Sequence, residues 1–132
     1  MKRILLLIAT LALAMSCTQN VDVLIVGGGA SGTAAGVQAA RCGVNTLIVE
    51  ETPWLGGMLT SAGVSAIDGN YRLRGGLFRE FTDAVAQHYG GYENLKTGWV
   101  SHIQFEPKVG EQILEDLAAA EPKLKLSLSD RA

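Results

Sequence analysis

Val21-Asp22-Val23-Leu24-Ile25-Val26 runs directly into Gly27-Gly28-Gly29-Ala30-Ser31-Gly32, and this stretch decides how the rest of the chain is read. The apolar run predicts a strand at about Asp22–Val26. Gly27, Gly29 and Gly32 stand in Gly-x-Gly-x-x-Gly spacing. A small-residue segment follows and predicts a helix at about Ser31–Arg41. A second apolar run, Thr46-Leu47-Ile48-Val49, ends in an acid, Glu50, and predicts a strand at about Asn45–Glu50. Strand, glycine turn, helix, strand and acid in this order form the dinucleotide-binding fingerprint in its full context. A glycine-rich turn in some other α/β protein is the competing reading, weakened by the other four features in register.

Each position has a physical task. Gly27 lets the chain turn sharply off the strand without a Cβ to clash. Gly29 lets backbone N–H groups approach a diphosphate, and Gly32 lets the helix lie tight on the strand. Gly36 and Ala40 continue that small-residue face. The first N–H groups of a helix lack internal partners and sit at the positive end of its dipole, which suits a diphosphate. Glu50 is placed to accept hydrogen bonds from an adenosine ribose, and its charge disfavours the 2′-phosphate of NADP.

Glu51-Thr52-Pro53-Trp54-Leu55-Gly56-Gly57-Met58 comes next. The segment from Val21 to Gly57 resembles the FAD-dependent oxidoreductases of the two-dinucleotide-binding-domain type. In that family a second glycine pair follows the ribose acid and lies along the cofactor's phosphates, whereas NAD-only domains usually lack it. Ser61-Ala62-Gly63, Arg74-Gly75-Gly76 and His102-Ile103-Gln104-Phe105-Glu106-Pro107 extend the resemblance more weakly. It implies FAD as cofactor and a cofactor-binding set of Gly27, Gly29, Ala30, Ser31, Gly32, Glu50, Glu51, Gly56, Gly57 and Met58. An NAD-linked dehydrogenase and a non-catalytic nucleotide-binding fragment are the alternatives.

The chain has 132 residues and a net charge of −2, and no run of Lys or Arg interleaves with aromatics, which argues against nucleic acid as partner. Residues 1–17 read as an export signal. Lys2-Arg3 is followed by an apolar run from Ile4 to Met15, too short to span a bilayer. Ser16-Cys17 followed by Thr18-Gln19-Asn20 resembles a bacterial lipoprotein cleavage box with Cys17 lipidated, although Ala14 departs from the larger aliphatic residue preferred there. An ordinary secretory signal or an uncleaved anchor competes with this. The expectation is an exported bacterial protein, membrane-anchored through Cys17 or periplasmic. Cys42 is expected to be a small packing residue.

The remainder continues the α/β alternation. A glycine-rich connection from Glu51 to Arg74 is expected to lie over the cofactor. A helix at about Leu77–Tyr89 buries Phe78, Phe81, Val85 and Tyr89, and Gly90-Gly91 stops it. A third helix opens at Pro107 with a buried stripe of Val109, Ile113, Leu117 and Ala120. Leu124–Leu128 reads as a third strand. The fold class is therefore α/β: a Rossmann-like parallel sheet, incomplete. Residues 21–132 are expected to be the N-terminal part of an FAD-binding domain, ending before the rest of the FAD site and the substrate domain. Such a piece leaves the flavin ring largely unsupported and one sheet edge open. His88 is expected at the surface and His102 in a structural or solvated role. Arg74 is read equally as a phosphate partner or a solvated cation. No residue is assigned to catalysis, no metal ligands cluster, and the substrate, a small molecule, is not specified.

Overall fold

The computed structural model describes residues 20–69, 75–99 and 101–129. Three strands, β1 (Val23–Val26), β2 (Thr46–Glu50) and β5 (Leu124–Leu128), form a parallel sheet in the order β1-β2-β5. Ile25 is in register with Ile48, and Ile48 with Leu126. Helix α1 (Ala30–Arg41) crosses one face of this sheet. Glycine makes that contact possible. A Cβ on Gly32 would fall 1.9 Å from the Gly27 carbonyl oxygen, and one on Gly36 would fall 2.5 Å from Ile48 Cδ1. Both distances lie far inside van der Waals contact, so any side chain would lift the helix off the sheet.

The connection after β2 is more ordered than the sequence suggests. It holds a 3₁₀ turn at Gly57–Leu59 and a strand, β3 (Ala66–Asp68). Strand β3 pairs antiparallel with β4 (Ser101–Gln104). Neither strand is legible from pattern: one has three residues, the other four, and the register shifts between Ile67 and Asp68. The Ser101 hydroxyl bridges them by donating to the Ile67 carbonyl at 3.0 Å.

Helices α2 (Gly76–His88) and α3 (Pro107–Ala119) complete the fold. As expected, Phe81 and Val85 are buried on α2, Phe78 and Tyr89 are half-buried, and His88 is exposed. His102 is exposed on β4. The face of α3 needs correction. Gly110, Glu111, Leu114 and Ala118 are its buried residues, Val109, Ile113 and Leu117 flank them, and Ala120 is exposed. The stripe is rotated by one position because α3 seats Gly110 on the ring of Phe105, where a Cβ would lie 2.5 Å from Cε2. Phe105 in turn meets Phe81 edge-on, with centroids 5.4 Å apart. Around this pair Val37, Ile48, Leu55, Val85, Ile103 and Leu114 form one continuous core.

Cys42 also needs correction. It is exposed, not packed. It caps the C-terminus of α1 just before Gly43, whose φ is +88°, so the chain has already turned away from the core. Its sulfur accepts a hydrogen bond from Gln38 Nε2 at 3.6 Å.

Candidate functional site

The end of β1 delivers Gly27 with φ +102°, a conformation that L side chains rarely adopt. Its N–H still donates to the Val49 carbonyl at 2.8 Å, so the turn begins while the strand pairing is intact. Gly28, unassigned from sequence, is the junction of the site. Its N–H donates to Glu50 Oε2 at 2.6 Å. Its carbonyl accepts from the Thr33 hydroxyl at 2.9 Å and from the Gly56 N–H at 2.8 Å. A Cβ there would also strike Leu55 Cδ2 at 2.8 Å.

The second glycine pair is thus fastened to the first. Gly56 and Gly57 have φ of +104° and +54°, and a Cβ on Gly57 would lie 3.1 Å from Gly29 Cα. Thr60 holds this second turn by donating to the Leu55 carbonyl at 2.5 Å. Met58 projects from it and is exposed.

Gly29 is different. Its φ is −59°, open to any residue, and nothing in the protein lies within 4 Å of a Cβ placed on it. Neither backbone strain nor packing inside the chain explains a glycine there. It is the N-cap of α1, and Ala30 and Ser31 beside it are exposed. The first-turn N–H groups therefore face open space at the positive end of the helix. A side chain at Gly29 would occupy that space, so the glycine keeps it clear for a group outside the chain.

Glu50 closes the other side. Oε2 takes the Gly28 N–H, and Oε1 takes the Thr52 N–H at 2.8 Å. Burial pushes its carboxyl pKa up, but the hydrogen bonds from Thr52, Gly28 and the Glu51 N–H together outweigh this. The net result is a pKa below the ordinary value. The carboxylate is thus charged and held in a fixed position beside the Gly28 peptide. Glu51, by contrast, is exposed.

The structure therefore brings Gly27, Gly29, Ala30, Ser31, Gly32, Glu50, Gly56, Gly57 and Met58 together at the C-terminal end of the parallel strands, with Glu51 following Glu50. Gly28, Thr33, Thr52 and Thr60 join them unforeseen. The middle glycine of the triplet was the signal for the first, and the hydroxyl of Thr33, four residues past Gly29, for the second. Arg74 and Cys17 lie outside the described residues. Among the described residues no group of three or more His, Cys, Asp or Glu is arranged to hold a metal ion, and no helix is long and apolar enough to cross a membrane.

Residues 22–132 match the family described as FAD dependent oxidoreductase. The chain belongs to that family. Among curated relatives of this flavoprotein, it is 29% identical over 119 residues to the mouse mitochondrial 5-taurinomethyluridine-[tRNA] synthase subunit MTO1, covering 84% of this chain and 18% of that protein. It is 42% identical over 50 residues to sarcosine oxidase subunit alpha of Corynebacterium sp. (strain U-96), covering 38% of this chain and 5% of the other. The chain thus spans less than a fifth of the curated relatives it matches. A solved structure of CabE, an aromatic hydroxylase from angucycline biosynthesis, superposes with a TM-score of 0.50 at 15% identity, covering 83% of this chain and 24% of that one. This likeness speaks to the fold alone.

FAD is the cofactor of this family member, and the residues fit it. The open space at Gly29 would suit its diphosphate, and the held carboxylate of Glu50 would suit a ribose hydroxyl.

Proposed function

We propose that this chain is the adenosine-diphosphate-binding part of an oxidoreductase that moves a hydride between FAD and a small-molecule substrate. The observation that carries the reading is Gly29, a glycine with no reason inside the protein, set beside a pre-charged Glu50. Bound flavin supplies the hydride chemistry. The chain's own residues bind and orient. The first-turn amides of α1 hold the diphosphate, Glu50 holds the ribose, and Gly56-Gly57 press the second turn against the first. Calorimetry with ADP and with FAD tests this. Binding of both supports it, and absence of any heat from either with a folded chain overturns it.

A second reading is a nucleotide-binding segment that does not turn over by itself, since the residues of the site bind and orient and none is assigned to catalysis. Anaerobic substrate screening of the FAD-loaded chain separates the two, because only the first reading allows the flavin band to bleach.

We also propose export and anchoring through Cys17, on the strength of Lys2-Arg3, the apolar run and Ser16-Cys17. Cys17→Ser is expected to move the protein from the membrane fraction to the soluble fraction of the cell envelope. Wild-type protein found wholly in the cytoplasm would remove this part of the proposal.

A further inference from the structure

A second feature adjoins the nucleotide site. Beside α1 lies a cavity of about 370 Å³, walled almost entirely by apolar side chains. Val37, Phe81 and Leu114, all buried core residues, form part of its lining. Ala30 and Met58, exposed members of the cofactor-binding set, line it as well, so it opens beside the site of the diphosphate. One carboxylate also lines it. Asp68 is exposed and has no ion pair or hydrogen bond among the described residues. The other polar group facing the space, the Thr33 hydroxyl, is already committed to the Gly28 carbonyl.

These facts define an occupant. Water gains few partners on such walls, because a buried water needs two to four polar groups. The volume is about two and a half times that of the ~150 Å³ cavity that admits benzene in an engineered protein, which suits two fused rings. No lining side chain has a donor left for an anion, whereas the Asp68 carboxylate, without an ion pair among the described residues, stands at the rim. We infer that this cavity binds an apolar, ring-bearing cation of one or two fused rings, with its ammonium group toward Asp68 and its rings against the half-buried Leu77 and Phe78. As a statement of substrate class, this rests on the FAD reading given above. As a statement about binding, it does not.

The test uses the full 132-residue chain and 1-naphthylmethylammonium as probe, followed by calorimetry with and without ADP. The probe is expected to bind with or without ADP, and 1-naphthylacetate is expected not to bind. Asp68→Asn, an exposed change, is expected to weaken the cation roughly fivefold, the size of one partly exposed ion pair. Ala34→Phe, which puts a ring into the cavity, is expected to abolish probe binding while leaving ADP binding in place. Asp68→Asn alone carries the test if the filled variant does not fold. Lack of binding to wild type, equal binding to Asp68→Asn, or displacement of the probe by ADP or FAD would each overturn the inference. If the probe behaves as expected and ADP does not bind, the cavity stands and the FAD reading falls.

Discussion

Two glycines three residues apart do opposite work, and their variants should separate fold from function. A Cβ at Gly32 meets the Gly27 carbonyl oxygen at 1.9 Å, whereas a Cβ at Gly29 meets nothing. Gly32→Ala is therefore expected to cost about 3 kcal/mol or more of stability in urea unfolding, by overpacking against backbone. Gly29→Ala is expected to cost at most about 1 kcal/mol, the scale of an N-cap change, yet to abolish ADP binding. If Gly29→Ala binds ADP normally, the cradle has been misassigned. Glu50 supplies the second prediction. Glu50→Gln keeps the shape but trades charged hydrogen bonds for neutral ones, so ADP affinity should fall about tenfold. The carboxyl pKa lies below its ordinary 4.5 in the folded chain. Its contribution to stability is then complete above that value and fades as pH falls through the lowered one. ADP affinity should be level above about pH 5 and drop only as pH falls through the lowered value, and Glu50→Gln should flatten that drop.

At the scale of elements, the three helices are tied at one point. Arg41, in the last turn of α1, makes a two-pronged ion pair with Glu80 of α2, both distances 2.8 Å, and reaches Glu121, just past α3, at 2.7 Å. Hydrogen bonding to Glu80 and then to Glu121 raises the Arg41 pKa, and the same contact lowers that of Glu80. The Arg41 and Glu80 side chains are 30% and 42% exposed, so solvent screens much of this attraction. Arg41→Ala is expected to lose only about 1 kcal/mol in urea unfolding, and the loss should shrink in about 1 M salt. Arg41→Lys should recover part of it, since lysine keeps the charge and lacks the planar fork. No change in ADP affinity is expected, because the tie lies at the opposite end of α1 from the glycines.

The whole molecule is one-sided. Helix α1 covers one face of the parallel sheet, while Leu24, Val26 and Val49 on the other are 60%, 82% and 38% exposed. Among the described residues β1 pairs with β2 alone, leaving one edge of backbone amides and carbonyls open. Parallel sheets ordinarily bury both faces, and an open apolar edge invites pairing with other chains. The isolated chain is expected to self-associate at micromolar concentration. The double variant Leu24→Lys, Val26→Lys should reduce that in sedimentation velocity without lowering the unfolding midpoint. Unchanged association would place the contact elsewhere.

The sequence by itself determined the βαβ unit, the glycine turn at its first strand end and the acid that ends its second strand. These are local matters: a turn that only glycine can make, a helix end that follows it, and a strand whose apolar period is visible within five residues. Tertiary structure decided the rest. Strands β3 and β4 exist because they pair with each other, across 34 positions from Ile67 to Ser101, and neither carries enough residues to declare itself. The buried stripe of α3 is set by the ring of Phe105, which the period of the helix cannot know. Gly28 became the junction of the site only when Glu50, Thr33 and Gly56 converged on its single peptide group, and the cavity beside α1 is formed by helices and a strand far apart in the chain. Contacts of this kind depend on which surfaces meet, and a linear pattern records only which surfaces are available.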